Sequence, residues 1–252
     1  MRPLGASVPG AFGALLLVLA PQAAPAAQAA PGAVAQDAHR QRALALAQTV
    51  QPRELVVASS MAALDRDFVR TLGEAPDVKA LEAEVPGFMA AYYDAARPEL
   101  KSMLEKRLPQ LWQTLADIYA AEMSPRELES VLAFYSSPLG QKFVKFMHTN
   151  IDARPMLRDG MKNPDFNISA EAYKETVGTA VERLPEQLST DEVRLFATFL
   201  RSEGGRAIGK VAPKVTTAGV AWVNATDPEA EARLEQIAEE TFTRLAAGQD
   251  EQ

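Results

Sequence analysis

Residues 123–147 read MSPRELESVLAFYSSPLGQKFVKFM, and this stretch decides the fold. Ser124 and Glu127 have the spacing of a capping box, in which the serine oxygen accepts from the helix's third amide and the glutamate accepts from the serine amide. Pro125 suits the first helical position, where no N–H is needed. Apolar residues then recur at i, i+3, i+4 and i+7, the spacing of one helix face: Leu128, Val131, Leu132 and Tyr135.

The helix is predicted to end at a sharp corner. Ser137 precedes Pro138, and a residue before proline disfavours the helical conformation, so one helix ends there and the next begins. Gly140 is expected to allow close contact between the two helices. The apolar side of the second helix carries Leu139, Phe143, Phe146 and Met147. The stretch is therefore a helical hairpin, and it has no evident chemistry.

A similar pattern returns 65 residues later. The capping pair recurs as Ser189 and Glu192, and the corner recurs as Ser202 and Gly205. The apolar face recurs as Val193, Phe196, Ala197 and Leu200. We predict a degenerate internal repeat of one helical hairpin. Because two copies are too few for a solenoid, a bundle in which the hairpins share one core is expected.

Helical patterns also cover most of the remaining chain, over residues 40–50, 54–72, 78–97, 98–122, 171–184 and 229–246. Pro86 and Gly87 predict a break, Pro98 the start of a helix, and Pro109 a kink or a split. Residues 158–167 read as a linker, and Gly248 as the end of the last helix. No segment shows strand alternation, so the predicted fold class is all-α: a helical bundle built from helix–corner–helix hairpins.

Residues 1–30 have the features of a secretory signal peptide. Arg2 supplies the positive charge, residues 11–20 the apolar core, and Ala30 closes a run of small residues with several cleavage sites. About ten apolar residues are fewer than the roughly 20 needed to cross a bilayer, which argues against an uncleaved anchor. A periplasmic or secreted location is therefore expected.

After the signal, residues 31–39 are predicted to be a disordered lead-in. Two helical halves follow, over residues 40–157 and 168–247, and the sequence leaves open whether they form one domain or two. The chain carries a net charge of −7 and no cysteine. An acidic chain without a basic tract argues against nucleic acid as a partner, and no later stretch reads as an integral membrane segment.

No pattern in the sequence indicates an active site, a cofactor or a metal. The two histidines, His39 and His148, lack metal-ligand spacing, and His148 reads as a cation near a helix C-terminus. Ser137 and Lys142 could be taken as a Ser–Lys pair, but a helix cap and a solvated lysine are the stronger interpretation. No phosphate loop is present, and adjacent carboxylates do not share a helix face. We predict that the protein is not an enzyme.

Aromatic side chains are concentrated in the middle of the chain: Tyr92, Tyr93, Trp112, Tyr119, Phe134, Tyr135, Phe143 and Phe146. Such stripes usually belong to a core. The alternative is an apolar pocket between helices, in which tyrosine hydroxyls orient a ligand. A cavity lined by Trp112, Tyr119 and Tyr135 would favour this second interpretation.

The segment FYSSPLGQK at residues 134–142, preceded by the helix start Ser-x-x-Glu-Leu, resembles the core motif of the DUF2059 family. The resemblance extends over residues 111–147. The residues in family positions are Phe134, Tyr135, Ser137, Pro138, Gly140 and Lys142. The resemblance implies a bacterial, mostly helical protein with an export signal, from a family without an established function or catalytic residues.

Together these observations favour an exported, non-enzymatic protein of the bacterial envelope that binds a protein or acts as an accessory factor. The alternative is a periplasmic carrier or sensor that holds an apolar small molecule or lipid between its helices. The partner, the ligand and the oligomeric state do not follow from the sequence.

Overall fold

The computed structural model describes residues 31–163 and 166–249, and within these ranges it contains eleven α-helices and no strand. The helices are α1 (Pro31–Val50), α2 (Arg53–Leu72), α3 (Pro76–Glu84), α4 (Phe88–Glu122), α5 (Pro125–Ser136), α6 (Pro138–Thr149), α7 (Arg154–Gly160), α8 (Ala170–Arg183), α9 (Thr190–Arg201), α10 (Glu203–Asn224) and α11 (Pro228–Gln249). A 3-10 turn over Leu184–Gln187 follows α8. The predicted all-α class is confirmed, and the predicted signal peptide lies outside the described residues.

The centre of the bundle is α4, which packs against α1, α2, α3, α10 and α11. Our prediction of a helix start at Pro98 was wrong, because α4 runs without a break through both Pro98 and Pro109. Each proline removes one helical hydrogen bond, at a cost of about 3 kcal/mol in an isolated helix. Burial of Leu108 and Leu111 on either side of Pro109 offsets that cost, since both side chains are at most 6% exposed.

Both halves of the chain contribute to the main hydrophobic core. Its members come from α1, α2, α4 and α5 in the first half and from α10 in the second, and include Leu46, Leu108, Leu128, Val131 and Val211, all fully buried. The residues that complete the core are therefore separated by as much as two thirds of the chain. The two predicted halves therefore share this core.

The first hairpin has the predicted caps. The Ser124 oxygen accepts from the Glu127 amide at 3.3 Å, and the Glu127 carboxylate accepts from the Ser124 amide at 2.7 Å. At the corner, the Ser137 hydroxyl donates to the Phe134 carbonyl at 2.6 Å and accepts from the Gly140 amide at 3.1 Å. One serine thus ends α5 and begins α6.

The second hairpin, α9 and α10, has the same local geometry. The Ser189–Glu192 capping box is complete, and the Ser202 oxygen accepts from the Gly205 amide at 3.1 Å. A Cβ placed on Gly140 or on Gly205 would lie 2.1 Å from the carbonyl oxygen six residues earlier in each case. The caps of the two hairpins therefore match, while the internal repeat itself remains a prediction.

Three predicted boundaries differ from the structure. The first helix begins at Pro31, so residues 31–39 are helical and not a disordered lead-in. Residues 158–160 of the predicted linker belong to α7, which Leu157 anchors at 8% exposure. The last helix passes through Gly248, because a helical glycine costs only about 1 kcal/mol relative to alanine. None of the described helices is both long and apolar enough to cross a membrane.

Both histidines hold α1 in place. The ring of His39, in α1, donates from Nε2 to the Ala120 carbonyl of α4 at 3.1 Å. The ring of His148, in α6, donates from Nε2 to the Val50 carbonyl at the end of α1 at 3.2 Å. The interpretation of His148 as a cation at a helix C-terminus needs correction: it lies in the last turn of α6, but burial lowers its pKa and favours the neutral ring.

We expect Gly140→Ala to lower the free energy of unfolding by roughly 1–3 kcal/mol, since the new methyl would overlap backbone atoms that cannot move away cheaply. The matched control is Gly209→Ala in α10, where nothing lies within 4 Å and the substitution should stabilise the helix by up to about 1 kcal/mol. Urea titrations of both variants provide the measurement. Equal unfolding midpoints would contradict the tight corner.

We also expect the buried ring of His148 to make stability depend on pH. Its folded-state pKa lies below the ordinary 6.5, so on acidification the unfolded chain binds the proton first. The free energy of unfolding should then fall as the pH drops below 6.5, and the fall should be smaller in His148→Gln. Denaturant titrations of both proteins between about pH 7.5 and 5 test this, and a pH-independent difference between them would refute it.

Candidate functional site

The aromatic residues of the first hairpin meet those of α9. The rings of Phe134 and Phe199 stack with centroids 3.7 Å apart, and the rings of Phe143 and Phe196 lie 5.5 Å apart. Tyr135 makes an edge contact with Phe134 at 5.3 Å. We call these five residues the aromatic cluster. It joins the two hairpins through side chains of both.

Phe196 and Phe199 were not among the predicted site residues, although the sequence carried a signal for Phe199. It lies 65 residues after Phe134, so the matching patterns of the two hairpins place the two rings at equivalent positions. Equivalence along the chain does not by itself predict contact. The stack forms because α5 packs against α10, which brings the adjoining α9 over Phe134.

Trp112 and Tyr119 belong to the main core and not to the aromatic cluster. Trp112 donates from Nε1 to the Gln51 carbonyl at 2.8 Å, which fixes the turn between α1 and α2. Tyr119 is 2% exposed, and burial raises its pKa. Tyr135 packs against the same core, and burial raises its pKa to about 12. Neither phenol is thereby suited to donate or accept a proton near neutral pH.

Two shallow depressions of the described surface lie away from these three aromatic residues. One, of about 250 Å³, is bordered by Asp159, Lys162, Asn163, Asn167, Ile168 and Ser169. The other, of about 220 Å³, is bordered by Lys142, Lys145, Phe146, Thr149, Asn150, Leu184, Gln187 and Leu188. Neither is lined by Trp112, Tyr119 or Tyr135, whose rings pack within the core.

The polar residues of the motif are engaged in structural contacts. Ser137 caps α6, and Pro138 occupies its first turn. Lys142 is 44% exposed, and its Nζ lies 2.8 Å from both carboxylate oxygens of Glu192 in α9. The Lys142 ammonium, together with the Ser189 amide, lowers the pKa of Glu192. Lys142 therefore links the hairpins and is not free to activate Ser137.

A second polar group joins α2 to α4. The Tyr93 hydroxyl donates to Asp65 at 2.6 Å, and the Arg97 guanidinium contacts both oxygens of the same carboxylate. Arg97 and the Tyr93 hydroxyl lower the pKa of Asp65 to about 2, while burial and Asp65 raise the pKa of Tyr93. The carboxylate is then a poor base and the phenol a poor acid. Among the described residues, no three potential metal ligands come together.

Of the five large apolar side chains that are exposed among the described residues, three lie on α9. Val193, Leu195 and Leu200 are 41%, 61% and 47% exposed. Val193 and Leu200 form what we call the α9 apolar face. Phe199, beside Leu200, is buried at 9% exposure on the aromatic cluster. Val193 and Leu200 lie on one edge of the helix, seven residues apart, and Leu195 lies on the other.

The exposure of the α9 apolar face departs from the expected burial of Val193 and Leu200. Their counterparts in the first hairpin are Leu128, which is fully buried, and Tyr135, which packs against the main core. The difference is α1, which packs against α5 but has no equivalent over α9. An amphipathic pattern shows that one face is apolar but does not show whether the chain itself covers that face.

No curated protein sequence matches this chain, and no solved structure matches it. The family comparison gives one match, and it lies on the first hairpin and the preceding end of α4. Residues 109–150 match the family described as "Uncharacterized protein conserved in bacteria (DUF2059)", so the resemblance inferred from the hairpin motif is confirmed over this segment.

Proposed function

We propose that this chain is an exported, non-enzymatic protein of the bacterial envelope that binds another protein through the α9 apolar face. The observation that carries the proposal is the exposure of Val193 and Leu200 on one edge of a twelve-residue helix. Full burial of a leucine or valine side chain is worth about 1.5–3 kcal/mol. Val193 and Leu200 are 41% and 47% exposed, so a partner that covers them would gain roughly half of that energy for each side chain.

The contacts of the motif residues support a non-enzymatic role. Ser137 is both donor and acceptor in a helix cap, and Lys142 is paired with Glu192. Tyr119 and Tyr135 have pKa values raised by burial. Each of these groups is thus hydrogen-bonded, ion-paired or kept protonated, as expected for residues whose role is structural.

The case for export rests on the sequence. Residues 1–30 combine a positive charge, a short apolar core and small residues near the expected cleavage sites. The family match points to a bacterial protein, and the resemblance to DUF2059 implies an export signal. Pulse-chase labelling would show whether the chain is processed on export, and N-terminal sequencing of the mature chain would locate the cleavage site.

We predict that a photoreactive phenylalanine analogue at Leu200 will capture a protein in the native cells. The matched control is the same analogue at Glu239, an exposed residue of α11. The Leu200 adduct should weaken at least severalfold when Val193→Glu is added, because a charge on the same edge would have to be desolvated on binding. Equal capture at both sites, or none at Leu200, would contradict the proposal.

The carrier alternative has one supporting observation, the groove between α6 and the segment that follows α8. Phe146, Leu184 and Leu188 provide apolar lining, and Lys145 provides positive charge, whereas Lys142 at the same groove is paired with Glu192. A volume of about 220 Å³ would hold only a small ligand or one end of a longer molecule. A small amphiphile with an anionic head is the ligand chemistry that these residues suit.

Native mass spectrometry of the protein, purified from its own host without denaturant, separates the two functions. Under the protein-binding proposal we expect masses that correspond to polypeptide alone. Excess mass of a few hundred daltons that is lost on denaturation, and lost also in Leu188→Glu, would favour the carrier. Leu195→Glu serves as the control, since it adds the same charge outside the groove.

A further inference from the structure

We propose that the hydroxyl groups of Tyr119, Tyr135 and Tyr173 form a polar site between the helices, which binds a small neutral molecule through its oxygen. The oxygen belongs either to water or to the hydroxyl end of a ligand. The three side chains come from α4, α5 and α8, so the site joins both halves of the chain. The inference is independent of the protein-binding proposal, which concerns the exposed edge of α9.

The observation that carries the inference is that none of the three hydroxyls has a hydrogen-bond partner among the described residues. Tyr93, by contrast, donates from its hydroxyl to Asp65 at 2.6 Å. A hydroxyl that folding removes from water loses its hydrogen bonds unless it is paired again, and buried polar groups are nearly always paired with protein atoms or with ordered water. Three unpaired hydroxyls in one region therefore point to a bound molecule.

The three side chains gather around α10, which packs against α4, α5 and α8. Tyr119 is 2% exposed in the main core, and Tyr135 packs against the same core. Tyr173 approaches from α8, and a Cβ placed on Gly219 of α10 would overlap its hydroxyl. That hydroxyl therefore rests against the α10 backbone beside Ala218, which is a member of the main core.

The electrostatic interactions of the phenols also place them near one another. Burial, and then interaction with Tyr135 and Tyr173, raise the pKa of Tyr119. Burial raises the pKa of Tyr135 to about 12 and raises the pKa of Tyr173 as well. An interaction of this kind requires phenols that lie close together where little water screens them. All three are neutral near neutral pH, so each hydroxyl can both donate and accept a hydrogen bond.

A water-sized molecule can reach the tyrosine oxygens, whereas it cannot reach the nearby hydroxyl of Thr176. Thr176 lies one turn after Tyr173 on α8 and is 1% exposed, and its oxygen is both unpaired and completely inaccessible. The three tyrosine oxygens are unpaired without being completely inaccessible. A buried water typically makes about three hydrogen bonds, which is the number that these hydroxyls offer.

The surroundings favour a neutral occupant. The other members of the main core are apolar, among them Met123, Leu128 and Val211, so an ionised ligand would have no countercharge among them. An oxygen that donates and accepts, as in water or an alcohol, matches hydroxyls that do the same. Any longer ligand would have to place an apolar part against these side chains.

Deletion of single hydroxyls tests the site in the purified protein. Tyr119→Phe and Tyr173→Phe should each raise the unfolding equilibrium constant roughly fivefold, because each removes a hydrogen bond to the bound molecule. The matched control is Thr176→Val, which removes a hydroxyl that no molecule can reach and should leave the constant unchanged or lower it. If the tyrosine variants behave as Thr176→Val does, their hydroxyls have no partner and the proposal is wrong.

A double variant tests whether the hydroxyls share one bound molecule. Tyr119→Phe with Tyr173→Phe should raise the unfolding equilibrium constant by less than the product of the two single effects, with a shortfall of at least about threefold, because the two hydroxyls have one partner in common. Urea titrations of the four proteins provide the constants. Effects that multiply without a shortfall would contradict a shared site.

Phenol and benzene distinguish the two sources of the oxygen. If the site takes a ligand hydroxyl, phenol should raise the Tm of the wild type more than benzene does. Tyr119→Phe should lose that difference, and Tyr93→Phe, whose hydroxyl binds Asp65, should keep it. Coupled tyrosine variants without this phenol effect would assign the site to bound water. Absence of both the coupling and the phenol effect would overturn the proposal.

Discussion

The helical corner at Ser137 constrains the rest of the structure. One residue ends α5 and begins α6, its hydroxyl donating backwards to Phe134 and accepting forwards from Gly140. The Gly140 α-carbon lies so close to the preceding helix that a methyl group there would overlap the Phe134 carbonyl. With so little freedom, the angle between α5 and α6 is fixed locally. The rings of Phe134, Tyr135 and Phe143 thereby contact rings of α9.

The same corner recurs at Ser202, and the two hairpins meet through stacked phenylalanines. An ion pair between Lys142 and Glu192 lies beside that stack. Such exposed ion pairs contribute about 0–1 kcal/mol, so the stacked rings supply most of the interaction energy between the hairpins. The ion pair helps to fix how the two hairpins are aligned. The aromatic residues of the family motif are thus explained by packing between helices. Packing within the chain leaves the exposed edge of α9 unexplained, and that edge carries the protein-binding proposal.

Local interactions made much of this fold predictable. The capping boxes at Ser124 and Ser189 depend on residues three apart, and both were visible in the sequence. Features that depend on contacts between distant parts of the chain could not be predicted from the sequence. Pro98 and Pro109 favour helix ends locally, but packing against neighbouring helices keeps α4 continuous through both prolines. Residues 31–39 show only a weak helical periodicity in the sequence, and the hydrogen bond of His39 to α4 stabilises their helix.

The candidate site shows the same division. The sequence identified Phe134 and Tyr135 as notable but could not supply their partners on α9, and it grouped them with Trp112 and Tyr119, which belong to the main core.

The main core also shows how the segment that matches the family relates to the rest of the fold. Leu128 and Val131, inside the matched segment, are fully buried in a cluster whose other members include Leu46 and Val211, both outside it. The matched segment is consequently one part of a larger domain and not an independently folding module. Expressed without the rest of the chain, it would expose its most apolar surface to solvent.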